Sequence, residues 1–353
     1  MFHKTFVPVL THRTIRSIVV AAAALFLLAA AAGTPEGDLH ALQAKLASAK
    51  TAVVDDYTHV AAETGAADQI VERLDADEAA LALADPADPA GSEALRVRIL
   101  LDVSLAEQVT NPAATSSSSA HGPQMRLVKS SADQTLQPLA LYVPGSINLD
   151  QPAPLVIMLH SQEQTEADLI SEPALRQLAD ASGAILAVPY ARGDRSEDTT
   201  TQADVYDALA FVLSAYKIDA RRIYLAGFSY GAFEAFMLAP HEPGRWSGVL
   251  SIAGSLTNGD KDAFVRSMQG KSTFLVIGSD DPIVKAQYVE GASAFLAANG
   301  IDSHFYIEKG GVHSLESLLP SLQRAWNDML AGVHFGTPEP DAPSPLPTPS
   351  QRY

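Results

Sequence analysis

The chain of 353 residues contains no cysteine. That absence excludes disulfides, thiol nucleophiles, cysteine metal sites and a cysteine-borne lipid anchor, so the fold rests on its packed core alone. Positive charge is also scarce: 24 Lys and Arg stand against 41 Asp and Glu, a formal net charge of −17. So acidic a surface argues against nucleic acid or an anionic membrane as partner and keeps the chain soluble, but it says little about a neutral substrate. Internal repeats are absent, and the segments between the apolar runs of residues 137–331 are too short for a lid domain. An open site suits a bulky or polymeric substrate better than a micellar lipid.

What is present divides the chain into segments. Residues 1–32 carry Lys4, Arg13 and Arg16 ahead of an apolar run from Ile18 to Ala32, the layout of a signal peptide or, uncleaved, of an N-terminal anchor. Removing them makes the remainder still more acidic. Over residues 38–110, Leu39, Leu42, Leu46, Val53, Tyr57 and Val60 recur at helical steps, Gly65 interrupts, and Ile70, Leu74 and Leu81 resume before Asp85-Pro86. Leu95 to Ile99 alternates like a strand, but its continuation through Val103 and Ala106 favours helix. A small helical hairpin or three-helix module is expected there; the blander alternative is a spacer that packs on the domain that follows or on a second copy of itself. Residues 111–123, with their serine run and Gly122-Pro123, have the composition of a linker, and the prolines of residues 336–353 predict an extended tail.

Residues 124–335 alternate apolar, strand-like runs with helical patterns: Leu139–Val143, Leu155–Leu159, Ala184–Val188, Ile223–Ala226, Gly248–Ile252, Phe274–Ile277 and His304–Ile307. This alternation predicts an α/β domain, a mostly parallel sheet with helices on both faces. Within it Gly227-Phe-Ser-Tyr-Gly231 closes an apolar strand and opens a helical stretch, Ala232 to Ala239. A serine in such a turn is pushed out above the sheet, and small residues are needed two positions either side. Ser229 is therefore the candidate nucleophile.

A serine hydroxyl needs a base, and the base needs an orienting group. After the strand ending at Ile277 comes an acidic turn with Asp280 and Asp281, and after the next strand the glycine-softened loop Gly310-Gly311-Val312-His313. Asp281, just before Pro282, is preferred as the acid over Asp280. His313 is the proposed base; His304, inside a strand, is the weaker candidate. The Tyr230 amide, at a helix N-terminus, and the Gln162 amide, in the loop after the strand Pro154 to His160, are the expected oxyanion donors. The loop Tyr190 to Arg195 either offers Arg192 to an anionic substrate group or is a salt-bridged turn. No cofactor or metal is called for by this chemistry.

The stretches Pro154 to His160 with Gln164-Thr165, Asp219 to Ala232, Gly278 to Val284 and Gly310 to His313 resemble extracellular serine esterases of the α/β-hydrolase superfamily. The likeness is to the poly(3-hydroxyalkanoate) depolymerase, feruloyl esterase and prolyl-oligopeptidase-like groups, and it runs from about Gln137 to about Ala331. It implies the α/β-hydrolase fold, the chain order Ser229, Asp281, His313, and an exported enzyme, periplasmic or extracellular, that acts on carboxylic esters. His160 would then brace its loop. A peptidase on the same fold and a non-catalytic cell-envelope binding protein are the rival readings. One departure bears on them: these families carry glycine after the histidine of the oxyanion strand, and this chain has Ser161, which would be strained if the site needs a positive φ. Oligomeric state is not legible, and membrane contact is expected only through an uncleaved N-terminal segment.

Overall fold

The computed structural model describes residues 35–85, 88–111, 121–192, 199–256 and 261–332. The expected signal or anchor segment, most of the linker and the proline-rich tail lie outside these residues. Among the described residues no helix is long and apolar enough to cross a membrane.

Eight strands form one sheet: β1 (Gly122–Lys129), β2 (Leu136–Val143), β3 (Ala153–Leu159), β4 (Ile185–Pro189), β5 (Ile218–Phe228), β6 (Gly248–Ile252), β7 (Ser272–Gly278) and β8 (Asp302–Glu308). Their spatial order is β1-β2-β4-β3-β5-β6-β7-β8, with β2 antiparallel to both its neighbours and all pairs from β4 onward parallel. The parallel strands read as unbroken apolar runs because helices cover both faces; every residue of β3, β6 and β7 is buried. This is the expected mostly parallel sheet, with one correction: β1 begins at Gly122, inside the stretch whose composition reads as linker. Gly122-Pro123 starts a strand instead, since Pro is tolerated at the outset of an edge strand.

From β3 the chain crosses through α5 (Glu166–Ser171) and α6 (Pro173–Ser182) to β4 on one side, and after α7 (Thr199–Ala215) it returns as β5 on the other. The strand order therefore reverses around β3, and a crevice opens where the loops after β3 and β5 diverge, as in other open α/β sheets. Beyond β5 come α8 (Tyr230–Leu238), α9 (Lys261–Ser267), α10 (Ala286–Ala298) and α11 (Leu315–Ala331).

The N-terminal region is helical as expected, but it holds four helices: α1 (Pro35–Asp55), α2 (Tyr57–Thr64), α3 (Ala67–Leu83) and α4 (Pro89–Thr110). Gly65 ends α2 in the left-handed conformation, φ 66°. α4 explains why its sequence looks half like a strand. It packs against α1 and α3 on one side and against α5 and β1 on the other, so Val97, Ile99, Leu101, Val103 and Leu105 are all buried despite their alternation. Each such side chain taken from water contributes about 1.5–3 kcal/mol. The module packs on the sheet domain: its apolar residues belong to the same core as those of the sheet.

Candidate active site

The turn after β5 carries the most strained serine of the site. Ser229 has φ 54° and ψ −116°, outside the regions L-residues favour. Its surroundings impose this. A methyl group at Gly227 would run into the Gly231 carbonyl, and one at Gly231 into the Leu159 and His160 carbonyl oxygens at the end of β3. The close approach that glycine permits brings the N-terminus of α8 against the loop after β3, and the Ser229 amide donates to the Ile252 carbonyl on β6 at 2.8 Å.

The acid and base loops are tied to each other before either side chain acts. Ser279 N donates to Glu308 O at 2.8 Å, Asp280 N to Gly311 O at 3.0 Å and Gly310 N to Ser279 Oγ at 2.8 Å. Gly278 lies so close to the Gly311 carbonyl that no side chain would fit, and Gly310 takes φ 75°. The result is a continuous chain of contacts: His313 Nε2 lies 2.8 Å from Ser229 Oγ, and His313 Nδ1 lies 2.7 Å from Asp281 Oδ2. The other oxygen, Asp281 Oδ1, accepts the Ile283 and Val284 amides at 2.8 Å each. The Asp281 side chain is fully buried and that of His313 is 12 % exposed. The Phe228 ring lies 5.2 Å from the imidazole, centroid to centroid.

The structure separates the candidates that spacing could not. Asp280 is exposed and accepts only the neighbouring Ser279 hydroxyl. His304 stacks on Phe274 at 4.8 Å and its Nε2 sits 3.1 Å from Asp302 Oδ2, within the sheet. Arg192 is held by Asp133 through two hydrogen bonds of 2.6 and 3.0 Å and by Asp204 at 2.5 Å, which is the salt-bridged turn rather than an open anion site. The same guanidinium holds the Asp133 carboxyl well below the usual carboxylate range.

In the loop after β3, both ring nitrogens of His160 face carbonyl oxygens, Ser161 O at 2.9 Å and Tyr190 O at 2.8 Å, and the ring stacks on Tyr190. Ser161 N donates to Gln164 Oε1 at 3.1 Å, so that amide is already engaged and Gln162 is the next one along. The expected strain at Ser161 is not there. Positive φ in this loop falls on Glu163, at 60°, and Ser161 keeps an ordinary backbone. The glycine of the resembling families is therefore not a conformational requirement in this chain.

Sequence reasoning missed the wall on the far side of this loop. Buried ion pairs run from the helical module to α5: Arg73 Nη2 lies 2.6 Å from Asp102 Oδ1 and 2.5 Å from Glu166 Oε1, while Arg98 Nε donates to Asp77 Oδ1 at 2.7 Å. Tyr190 Oη donates to Gln69 Oε1 at 3.2 Å. The available signal was the pair of arginines and acids set three to five residues apart on α3 and α4, a pattern ordinary on solvated faces. Among the described residues no group of His, Asp or Glu is arranged to hold a metal.

A mostly parallel sheet whose strand order reverses at β3, with Ser229, His313 and Asp281 in contact after strands β5, β8 and β7, is the arrangement of the α/β-hydrolase fold. Residues 190–323 match the Phospholipase/Carboxylesterase family model, a span that takes in Ser229, Asp281 and His313. The chain is 28% identical over 193 residues to the protein named "Putative esterase NocK" of Nocardia uniformis subsp. tsuyamanensis, covering 45% of this chain and 55% of that protein. It thus spans just over half the length of this relative. Among solved structures, the fluorophosphonate-binding serine hydrolase FphF of Staphylococcus aureus superposes with a TM-score of 0.51 at 12% identity, covering 59% of this chain and 98% of that one. A thermostable esterase gives 0.49 at 19%, covering 59% and 62%. The likeness to FphF shows the α/β-hydrolase fold, and over residues 190–323 the chain is similar to the Phospholipase/Carboxylesterase family.

Proposed function

We propose that the chain is an exported serine hydrolase that cleaves carboxylic esters through an acyl-enzyme intermediate. The observation that carries this reading is the unbroken contact from Ser229 Oγ through His313 to the buried Asp281. Asp281 Oδ2 accepts a hydrogen bond from His313 Nδ1–H, which fixes the tautomer that leaves Nε2 as the acceptor for the serine hydroxyl. As Ser229 Oγ bonds to the ester carbonyl carbon, its proton passes to His313 Nε2 and the carbonyl electron pair moves onto oxygen. That oxyanion meets the Tyr230 amide, in the first turn of α8, and the Gln162 amide across the crevice. The tetrahedral adduct then breaks its bond to the alcohol oxygen, which takes the proton from His313. Water repeats the sequence on the acyl-serine and restores the enzyme.

Export rests on the basic-then-apolar pattern of residues 1–32 and suits a chain without cysteine. The acyl and alcohol parts of the ester are open at this level, polymeric esters included. The non-catalytic reading drew on strain at Ser161, and the ordinary backbone there removes its support. Reaction of the intact protein with a fluorophosphonate probe tests the proposal: labelling that persists in Ser229→Ala, or fails in the native chain, would overturn it.

A further inference from the structure

The amide of Gln162 shares a peptide plane with the Ser161 carbonyl. In a trans peptide the two bonds point in opposite directions, so whatever holds the carbonyl oxygen also aims the N–H. Two groups hold it: Gln164 N donates to Ser161 O at 3.2 Å, and His160 Nδ1 lies 2.9 Å from the same oxygen. The imidazole is fixed in turn from outside its loop. His160 Nε2 lies 2.8 Å from the Tyr190 carbonyl, and the Tyr190 ring stacks on it with centroids 6.2 Å apart and planes 21° off parallel. His160 is buried, so close packing leaves its ring little freedom to turn.

Tyr190 is where the helical module reaches this loop. A cleft of about 480 Å³ lies between α3 and α4 and the loop after β3, yet α3 touches the far side at two points. At the first, Tyr190 Oη donates to Gln69 Oε1 at 3.2 Å, and the Arg73 guanidinium carbon lies 5.8 Å from the centre of the Tyr190 ring. At the second, Arg73 Nη2 pairs at 2.5 Å with Glu166, the first residue of α5 and two positions beyond Gln164, whose side chain accepts the Ser161 amide. The loop is thus gripped where it leaves β3, through Tyr190 and His160, and where it enters α5, through Glu166. We propose that the helical module is a positioning element of the active site, with Tyr190 as the relay that sets the direction of Gln162 N–H through His160 and the Ser161 carbonyl. An oxyanion donor acts on charge that develops in the transition state, so loosening the relay lowers kcat and spares KM.

This relay rests on the ester-hydrolase reading for the task of Gln162, and the test separates the two. Hydrolysis of p-nitrophenyl butyrate is measured per active site titrated with a fluorophosphonate, so that unfolded molecules do not count. In Tyr190→Ala, kcat should fall at least about tenfold with KM within about twofold of native. Gln69→Ala and Tyr190→Phe remove the same hydrogen bond and keep the ring against His160; each should lower kcat about threefold, and the two combined no further. Should Tyr190→Ala not fold, Tyr190→Leu carries the same expectation. Amide hydrogen exchange of the full chain should be faster in Tyr190→Ala at Ser161 and Gln164 but unchanged at Val284, which Asp281 holds, a pattern that general destabilisation would not give. Native kcat in Gln69→Ala, a loss carried by KM, or unchanged exchange at Ser161 and Gln164 would overturn the relay. Faster exchange at those two amides, with no ester hydrolysed by the native chain, would retire the esterase reading and leave the coupling of module to loop standing.

Discussion

The buried carboxylate of Asp281 and the buried ion pairs of the helical module are held in different ways. On the side of β7 and β8, every oxygen of Asp281 is engaged, and the loops that carry Asp281 and His313 are bonded to each other. On the side of the helical module, a denser set of charges is paired but incompletely bonded, with orphan atoms on Arg73 and Asp77. A fully satisfied network fixes a reacting geometry and resists change. An incompletely satisfied one costs stability.

The comparison breaks first at the nucleophile. Ser229→Ala and His313→Ala should each lower p-nitrophenyl butyrate hydrolysis by at least about a thousandfold, and the double variant should be little worse than either, because the residues act as a unit. Retained hydrolysis in Ser229→Ala would sink the assignment. Next, Asp281→Asn should cost about a hundredfold or more in kcat by upsetting the His313 tautomer, against less than about twofold for the exposed Asp280→Asn; equal effects would transfer the orienting role elsewhere.

On the opposite wall the expected losses are in stability. Arg73→Ala leaves the buried Glu166 carboxylate without its cation and should destabilise the chain by about 3–5 kcal/mol in urea unfolding; a change under 1 kcal/mol would mean that water already screens the network. Asp102 makes a smaller, pH-dependent contribution. Desolvation is the chief cause of its raised carboxyl, with Asp77, Glu166 and Asp168 adding to it and Arg73 opposing; Arg73, itself raised, stays charged and does not titrate. Since the folded value of about 8 lies above the unfolded one, the stabilisation is complete below about pH 4 and is lost as pH rises towards 8. Native stability minus that of Asp102→Asn should therefore fall between pH 5 and pH 8, by no more than about 1.4 kcal/mol per pH unit. A flat difference would mean that Asp102 is ionised throughout. Smallest of all, Ser161→Gly should leave kcat within about twofold, since no strain is there to relieve; a severalfold gain would restore glycine as a requirement of the loop.

Much of the candidate catalytic side was legible from the chain alone because its signals are local. Ser229, Asp281 and His313 each follow an apolar strand and sit among glycines or turn residues that mark the strand's end. The helical module was legible only as helix. Its partners lie far along the chain, Arg73 with Glu166 and Tyr190 with Gln69, and no periodicity within α3 announces what its polar face will meet. β1 was hidden for a similar reason: Gly122-Pro123 after a serine run has linker composition, and only pairing with β2, from Gly122 opposite Val143 onward, makes it a strand.

Sequence by itself determined the order of strands from β2 onward and the strand-end turns that carry Ser229, the Asp280-Asp281 pair and His313, because strand ends, turns and helix starts are written in short windows whose sterics act locally. Tertiary structure decided what those windows cannot contain. It chose Asp281 over Asp280 by burying one and exposing the other, and it gave Ser161 an ordinary backbone where family resemblance suggested strain. It also made α3 and α4 one wall of a polar cleft. Each of these outcomes depends on which distant surfaces exclude water from a given atom, and that is a property of packing rather than of any stretch of chain.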